Sequence, residues 1–224
     1  MPVTLPHSRA LINDVAIAST SHEIEELERF RYEVYVEEQG KVIAGADSAQ
    51  RRLRLASDDQ AVHYYLRDPG HGGILGYARG HFGIFPGHLH APLQLSRFDK
   101  FCRRQDLFFS SQLMVSPKAR NLAVMRALTG AQYRHGRSNG VRAWLFHCRA
   151  DLTPIYTRSG LYHYGPTFDL PSLGTHAPCI GICEDVDRFA LLNSYFYPLT
   201  QEFENHDDFR LAFRQEFGPT VPKD

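Results

Sequence analysis

Between residues 107 and 168 the chain alternates between strand-like and helical spacing, and this alternation restricts the fold more than any other feature. LFFSSQLMVS (107–116) reads as a buried strand that Pro117 stops. NLAVMRALTGAQYRHGRSNG (121–140) then sets Leu122, Met125, Leu128 and Gln132 at helical spacing and closes on glycine. VRAWLFHC (141–148) is again a strand. DLTPIYTRSG (151–160) reads as a helix with Asp151 as its cap, Pro154 in its first turn and Gly160 as its stop. LYHYGPTF (161–168) is strand-like once more. Upstream, AVHYYLR (61–67) and ILGYARGHF (74–82) flank the turn-rich DPGHGG, the pattern of a hairpin. The order predicts an α/β fold: a mixed, mostly antiparallel sheet with helices on both faces.

The rest of the chain supplies the ends. Thr20 and Glu23 have capping-box spacing, so a helix starts there. Ile24, Leu27, Arg31, Val34 and Tyr35 share its apolar face. An arginine on such a stripe snorkels to the rim, pairs with a carboxylate elsewhere in the fold, or faces a site. Lys41 to Asp59 is irregular and polar, FPGHLHAP (85–92) is a loop, and LSRFDKFCRR (95–104) carries a short helical pattern. An aromatic helix is predicted near Glu184 and a helical tail over Asp207–Phe217. We therefore expect a domain over residues 1–183 and a helical extension over 184–224 packed on it.

The 224 residues carry a formal net charge of zero, so nothing global points to nucleic acid or an anionic membrane. Locally the charge is uneven. Lys118 to Arg142 holds six Lys or Arg and no acid, while from Glu184 onward acids outnumber bases nine to four. This pattern fits a dock for an acidic partner, or two solvated faces. Four cysteines make no disulfide framework in a chain this long. His176, Cys179 and Cys183 suggest zinc by type. CIGIC alternates as a strand, however, and four strand residues span about 13 Å, too far for one zinc ion. We expect no metal. No apolar run approaches a membrane span and the N-terminus lacks a signal-peptide core, so the cytoplasm is the expected compartment.

VSPKARNLAVMRAL (115–128) followed by PIYTRSGLYHYG (154–165) resembles the GCN5-related N-acetyltransferase (GNAT) superfamily, and ILGYARG resembles that family's central strand. Residues 20–168 carry the resemblance. FRYEVYVEEQG (30–40) narrows it, because a first helix reading Arg-Tyr-x-Val-Tyr-x-x-Glu resembles the autoinducer-synthase branch and, within it, the long-chain N-acyl amino acid synthases. The resemblance implies acyl transfer from a carrier-protein thioester to the amine of an amino acid or similar small acceptor. The donor is an acyl-phosphopantetheine substrate rather than a bound cofactor. It further implies that Arg31 and Tyr35 bind the acceptor, Arg31 as a bidentate carboxylate clamp. Met114, Val115, Arg120, Asn121, Leu122 and Ala123 bind the donor, with backbone donors near Met114 and Val115 taking the carbonyl oxygen.

Departures from the family pattern bear on the donor. Aligning on Pro117 and Arg120 puts Ala123 and Met125 where the ordinary fold has glycines. Methionine there crowds a coenzyme A pyrophosphate, and the basic segment suits an acidic carrier protein. N-acyl transfer also needs a base for the amine and an acid for the departing thiolate. Tyr156 stands at the family's tyrosine position and is the expected acid, protonated at neutral pH. The candidate bases are Glu37, Glu38 and His147. Gln112, where relatives often carry an acid, cannot be one. Cys148 is set aside as a partner for His147 because strand neighbours point to opposite faces. Phe82, Phe85, Phe98, Phe101, Phe108 and Phe109 supply core, and some of them an acyl channel. Three other readings stay open: an acyl-coenzyme A-dependent acetyltransferase, a catalytically silent carrier-binding module, and a lactone-forming synthase. The last ranks lower because the tryptophan and paired aspartates of such enzymes are not found between Glu38 and Asp59.

Overall fold

The computed structural model describes residues 8–171 and 173–218. In chain order the helices are α1 (Ser8–Asn13), α2 (Ser21–Tyr32), α3 (Leu95–Phe98), α4 (Leu122–Ser138), α5 (Thr153–Arg158), α6 (Val186–Leu191), α7 (Tyr197–Thr200) and α8 (Asp208–Phe217). The strands are β1 (Ala16–Ile17), β2 (Ala46–Asp47), β3 (Arg52–Leu53), β4 (Val62–Arg67), β5 (Ile74–Phe82), β6 (Leu107–Val115), β7 (Ala143–Arg149), β8 (Tyr162–His163), β9 (Phe168–Leu170) and β10 (Gly174–Ile182). Two compact units are formed: residues 8–80 with 111–132, and residues 81–110 with 133–218.

In the first unit β1, β4, β5 and the second half of β6 lie in that order. The predicted hairpin is present: β4 and β5 pair antiparallel with Tyr64 opposite Ala78. Helix α2 begins where the capping box requires. The Glu23 amide donates to the Thr20 hydroxyl at 3.2 Å, and the Thr20 amide returns to the Glu23 carboxylate at 2.9 Å. Tyr65 also donates to Glu23, and with these capping bonds it holds the carboxyl down at about 2. Leu27, Phe30 and Val34 pack from α2 onto Tyr65, Tyr77 and Met114. Past Tyr32 the helix widens into a π-helix over Glu33–Glu38, a feature that periodicity did not signal. Gly76 lets α4 lie close to β5, since a Cβ there would stand 2.6 Å from Val124 and 2.9 Å from Leu128.

In the second unit the first half of β6 pairs parallel with β7, with Phe109 opposite Leu145. Strand β10 pairs antiparallel with β7, placing Pro178 opposite His147, and carries β8 and β9 on its other edge. One face packs Leu107, Phe109, Leu145, Tyr162 and Ile180 against Phe98 and the Phe209, Phe213 and Phe217 stripe of α8. Three expectations are refined. The strand at 161–168 is two short pieces, β8 and β9, split by the turn at Gly165 and Pro166. The aromatic helix after Glu184 is also two pieces, α6 and α7. Asp151 does not cap α5, because its carboxylate is taken by Arg149.

Candidate active site

Arg31 sits on the buried side of α2 with 0% exposure. Its two terminal nitrogens donate to the two oxygens of Asp58 at 2.9 and 2.7 Å, and one also donates to the Gln112 side-chain oxygen at 3.1 Å. From β5, Arg79 donates to the same aspartate at 2.6 Å and, through Nε, to Ser111 at 3.1 Å. The Leu55 amide adds a further donor at 2.8 Å. Burial works against ionising Asp58. The Arg31 hydrogen bonds and charge, the Leu55 amide and Arg79 outweigh it and bring the carboxyl to about 2.

His63 completes the cluster. Its Nε2 lies 3.1 Å from the Asp58 carbonyl, which can only accept, so Nε2 carries the proton and Nδ1 accepts from Tyr77 at 2.8 Å. Burial, with the charges of Arg31 and Arg79, lowers the His63 pKa and keeps the ring neutral. Two guanidiniums against one carboxylate leave this cluster with one positive charge in excess. The Arg31 Nε is enclosed and has no hydrogen-bond partner among the described residues. Tyr35 stands beside it: burial raises its pKa against the pull of Arg79 and Arg31, and Lys41 lies 4.6 Å from its ring centre.

Sequence reasoning missed Asp58, Arg79, His63 and Tyr77. A strand signal pointed to two of them: a polar residue on each of two adjacent hairpin strands, in a register where His63 faces Arg79. Asp58 comes from the Glu38–Asp59 segment, where the tryptophan and paired aspartates expected of a lactone-forming synthase were not found.

The donor-side residues follow β6 in the same unit. Gln112 adopts a left-handed φ of 53°, a kink in mid-strand, before Met114 and Val115. A tight turn over Pro117–Ala119 leads to Arg120, which pairs with Glu38. Asn121 accepts from the Ala123 and Val124 amides at 2.9 and 3.1 Å, so it caps α4 with donors that the resemblance assigns to phosphate. Leu122 is 51% exposed. Glu37 is gripped by Arg51 at 2.8 and 2.7 Å, a bond that lowers its pKa and makes it a weaker base.

Tyr156 and His147 belong to the second unit. The Tyr156 ring, on α5, packs 4.9 Å from Phe146 of β7. His147, the next residue on the strand, therefore faces the other way. There it meets Phe109 at 6.2 Å, Phe168 at 5.9 Å and His176 at 5.0 Å between ring centres. Burial, then His176 and His88, lowers its pKa to about 4, far from the value of an efficient base at neutral pH. Cys148 points away from His147 and lies 3.8 Å from the Cys179 sulfur. Among the described residues no group of three His, Cys, Asp or Glu side chains is arranged to hold a metal, and no helix is long and apolar enough to cross a membrane.

The basic segment is largely neutralised from within. Arg120 pairs with Glu38, Arg134 with Glu202, and Arg137 and Arg142 with Glu184, so at least four of its six cations have acidic partners among the described residues. Glu184 and Glu202 come from the acidic C-terminal stretch, as does Asp208, which also binds Arg142.

No family model matches the sequence. No curated protein matches it either. Solved structures do match the fold. TofI, in a ternary complex with an inhibitor and MTA, aligns with a TM-score of 0.60 at 20% identity, over 80% of this chain and 95% of that one. BjaI, a CoA-dependent acyl-homoserine lactone synthase solved with SAM and isopentyl-CoA, aligns at 0.59 and 15%, over 86% and 92%. FeeM, an N-acyl amino acid synthase from uncultured soil microbes, aligns at 0.58 and 11%, over 76% and 95%. The mixed, mostly antiparallel sheet, its flanking helices and these alignments give the chain the GNAT-type fold seen in acyl-homoserine lactone and N-acyl amino acid synthases.

Proposed function

We propose that this protein is an N-acyltransferase that moves a medium or long acyl group from an acyl carrier protein thioester to the amine of an amino acid or similar small acceptor. The cluster around Asp58 carries this reading. A buried site with one uncompensated positive charge and an unpartnered guanidinium N–H favours an anion, and an acceptor carboxylate supplies one. Arg31, Arg79 and the Tyr35 hydroxyl would receive it, and Gln112 would orient Arg31 without cancelling its charge.

In the reaction the acceptor nitrogen attacks the thioester carbonyl, a C–N bond forms and the C–S bond breaks. The amine proton passes to a carboxylate, for which Glu38 and Glu37 are the candidates. Backbone amides near Met114 and Val115 would steady the oxyanion, and Tyr156 would protonate the leaving thiolate. His147 ranks below the carboxylates, given its low pKa and its orientation away from Tyr156. Arg120, Asn121, Leu122 and Ala123 would contact the phosphopantetheine arm, with Asn121 yielding its capped amides to the phosphate. Residues 184–224 would act as the extension that supports this domain.

A coenzyme A-linked donor is the second reading, favoured by the internal pairing of the basic segment, which leaves less charge for an acidic carrier. The test offers each acyl group on both carrier protein and coenzyme A with pooled amino acids, following thiol release and product mass. Acyl-amino acid formed only from carrier-bound chains supports the first reading, and product from coenzyme A thioesters supports the second. Tyr156→Phe should lower kcat by about 10²–10⁴-fold while leaving stability unchanged. A variant with full activity removes Tyr156 as the acid.

A further inference from the structure

A cleft of about 340 Å³ opens on α2 and is lined by Arg29, Tyr32, Glu33, Gln50 and Arg51. That volume lies in the range of about 300–1,000 Å³ common to small-molecule sites. None of the five residues takes part in the Asp58 cluster. Arg29, Tyr32 and Glu33 are three and four positions apart and so share one side of the helix.

The cleft gathers groups of both charges, two of which, the Tyr32 hydroxyl and the Glu33 carboxylate, have no hydrogen-bond or ion-pair partner among the described residues. Tyr32 is only 7% exposed as a residue, and its hydroxyl, with no hydrogen-bond partner among the described residues, opens onto the cleft and its solvent. Glu33 feels the charge of Arg51 but forms no ion pair among the described residues. Arg29 reaches Glu25 only at 3.4 Å. Arg51 is held in a left-handed conformation, φ 52°, with its guanidinium aimed by two bonds to Glu37.

A simple anion in this cleft would face Glu33, and a simple cation would face two arginines. A ligand carrying both charges satisfies both sets of groups. We propose that the cleft binds a free α-amino acid as its zwitterion, the ammonium on Glu33 and the carboxylate on Arg29 and the Tyr32 hydroxyl, with Gln50 closing over it. This site is separate from the acceptor site proposed above and does not rest on the acyl-transfer reading.

The test is calorimetric titration of the full chain with single amino acids: glycine, leucine, phenylalanine and glutamate. Each is compared with its N-acetyl derivative, which lacks the ammonium, and with the corresponding amine, which lacks the carboxylate. At least one zwitterion should bind, with both derivatives weaker by roughly tenfold or more. Glu33→Gln and Tyr32→Phe should each weaken it by a similar factor. Glu33 sits at the helix surface, so Glu33→Gln keeps the test informative if Tyr32→Phe folds poorly. Binding unchanged in Glu33→Gln would place the ligand elsewhere and overturn the proposal. Derivatives that bind as well as the zwitterion, or no binding by any amino acid, would do the same.

Discussion

Around Asp58 the first unit encloses two guanidiniums, a carboxylate, an imidazole and the phenol of Tyr77, whereas the second unit fills its core with rings: Phe98, Phe213 and Phe217 stack within 4.8–6.2 Å of one another. Burying paired ions adds little net stability, and apolar residues of the same volume often do as well or better. Stacked aromatics, by contrast, gain area burial and ring–ring attraction together. The first unit thus keeps a costly arrangement in its centre, and the proposed acceptor site would account for it. The Phe98, Phe213 and Phe217 cluster of the second unit shows the apolar alternative.

Perturbing each core should separate these roles. Asp58→Ala strands Arg31 and Arg79 as unpaired buried charges and should cost about 3–5 kcal/mol in denaturant unfolding. The triple variant Arg31→Met, Asp58→Leu, Arg79→Met removes all three buried charges and should recover much of that loss and still abolish acyl transfer. If it stays active, the cluster has no role in catalysis. Phe213→Ala should cost about 3–4 kcal/mol through the cavity it leaves. Its KM for the acceptor should stay at the wild-type value, and a raised KM would blur the contrast between the units.

Acid should probe both units through their histidines. His63 and His147 have folded-state pKa values below the unfolded one, so the unfolded chain takes up protons first. Stability from these residues is complete above about pH 6.5 and is lost as the pH falls from there. For His147 the loss continues down to about 4. Removing that ring, as in His147→Phe, should flatten the dependence of unfolding midpoint on pH between about 6.5 and 4. An unchanged slope would mean that folding leaves the His147 pKa where it is in the unfolded chain. The smallest effect is expected at the start of α2, where Thr20→Ala removes one arm of the capping box and should cost about 1 kcal/mol.

What was legible in the sequence follows the range of the interactions. The Thr20–Glu23 box closes over three residues, and the hairpin over a six-residue turn, so local pattern was enough. The partner of Arg31 lies 27 residues away across a segment with no apolar period, and nothing local in Lys41–Asp59 marks Asp58 as buried. Likewise Arg120 finds Glu38 across 82 residues, which turned two separately named site residues into a pair. Asp151 misled for the opposite reason: a cap position was readable, but the competing Arg149 two residues earlier took the carboxylate. Tyr156 could be named only by resemblance, since its own helix gives it no distinguishing period.

The π-helix at Glu33–Glu38 has one more consequence. Removing a residue from α2 upstream would turn every later side chain by roughly 100° about the axis and carry Tyr35 off the buried face. Within the wide turn, the same loss can be absorbed as the backbone tightens to ordinary α pitch, because the extra residue is already housed there. Length variation in this helix should therefore be tolerated at one place, just after Arg31, with the upstream register of the helix preserved.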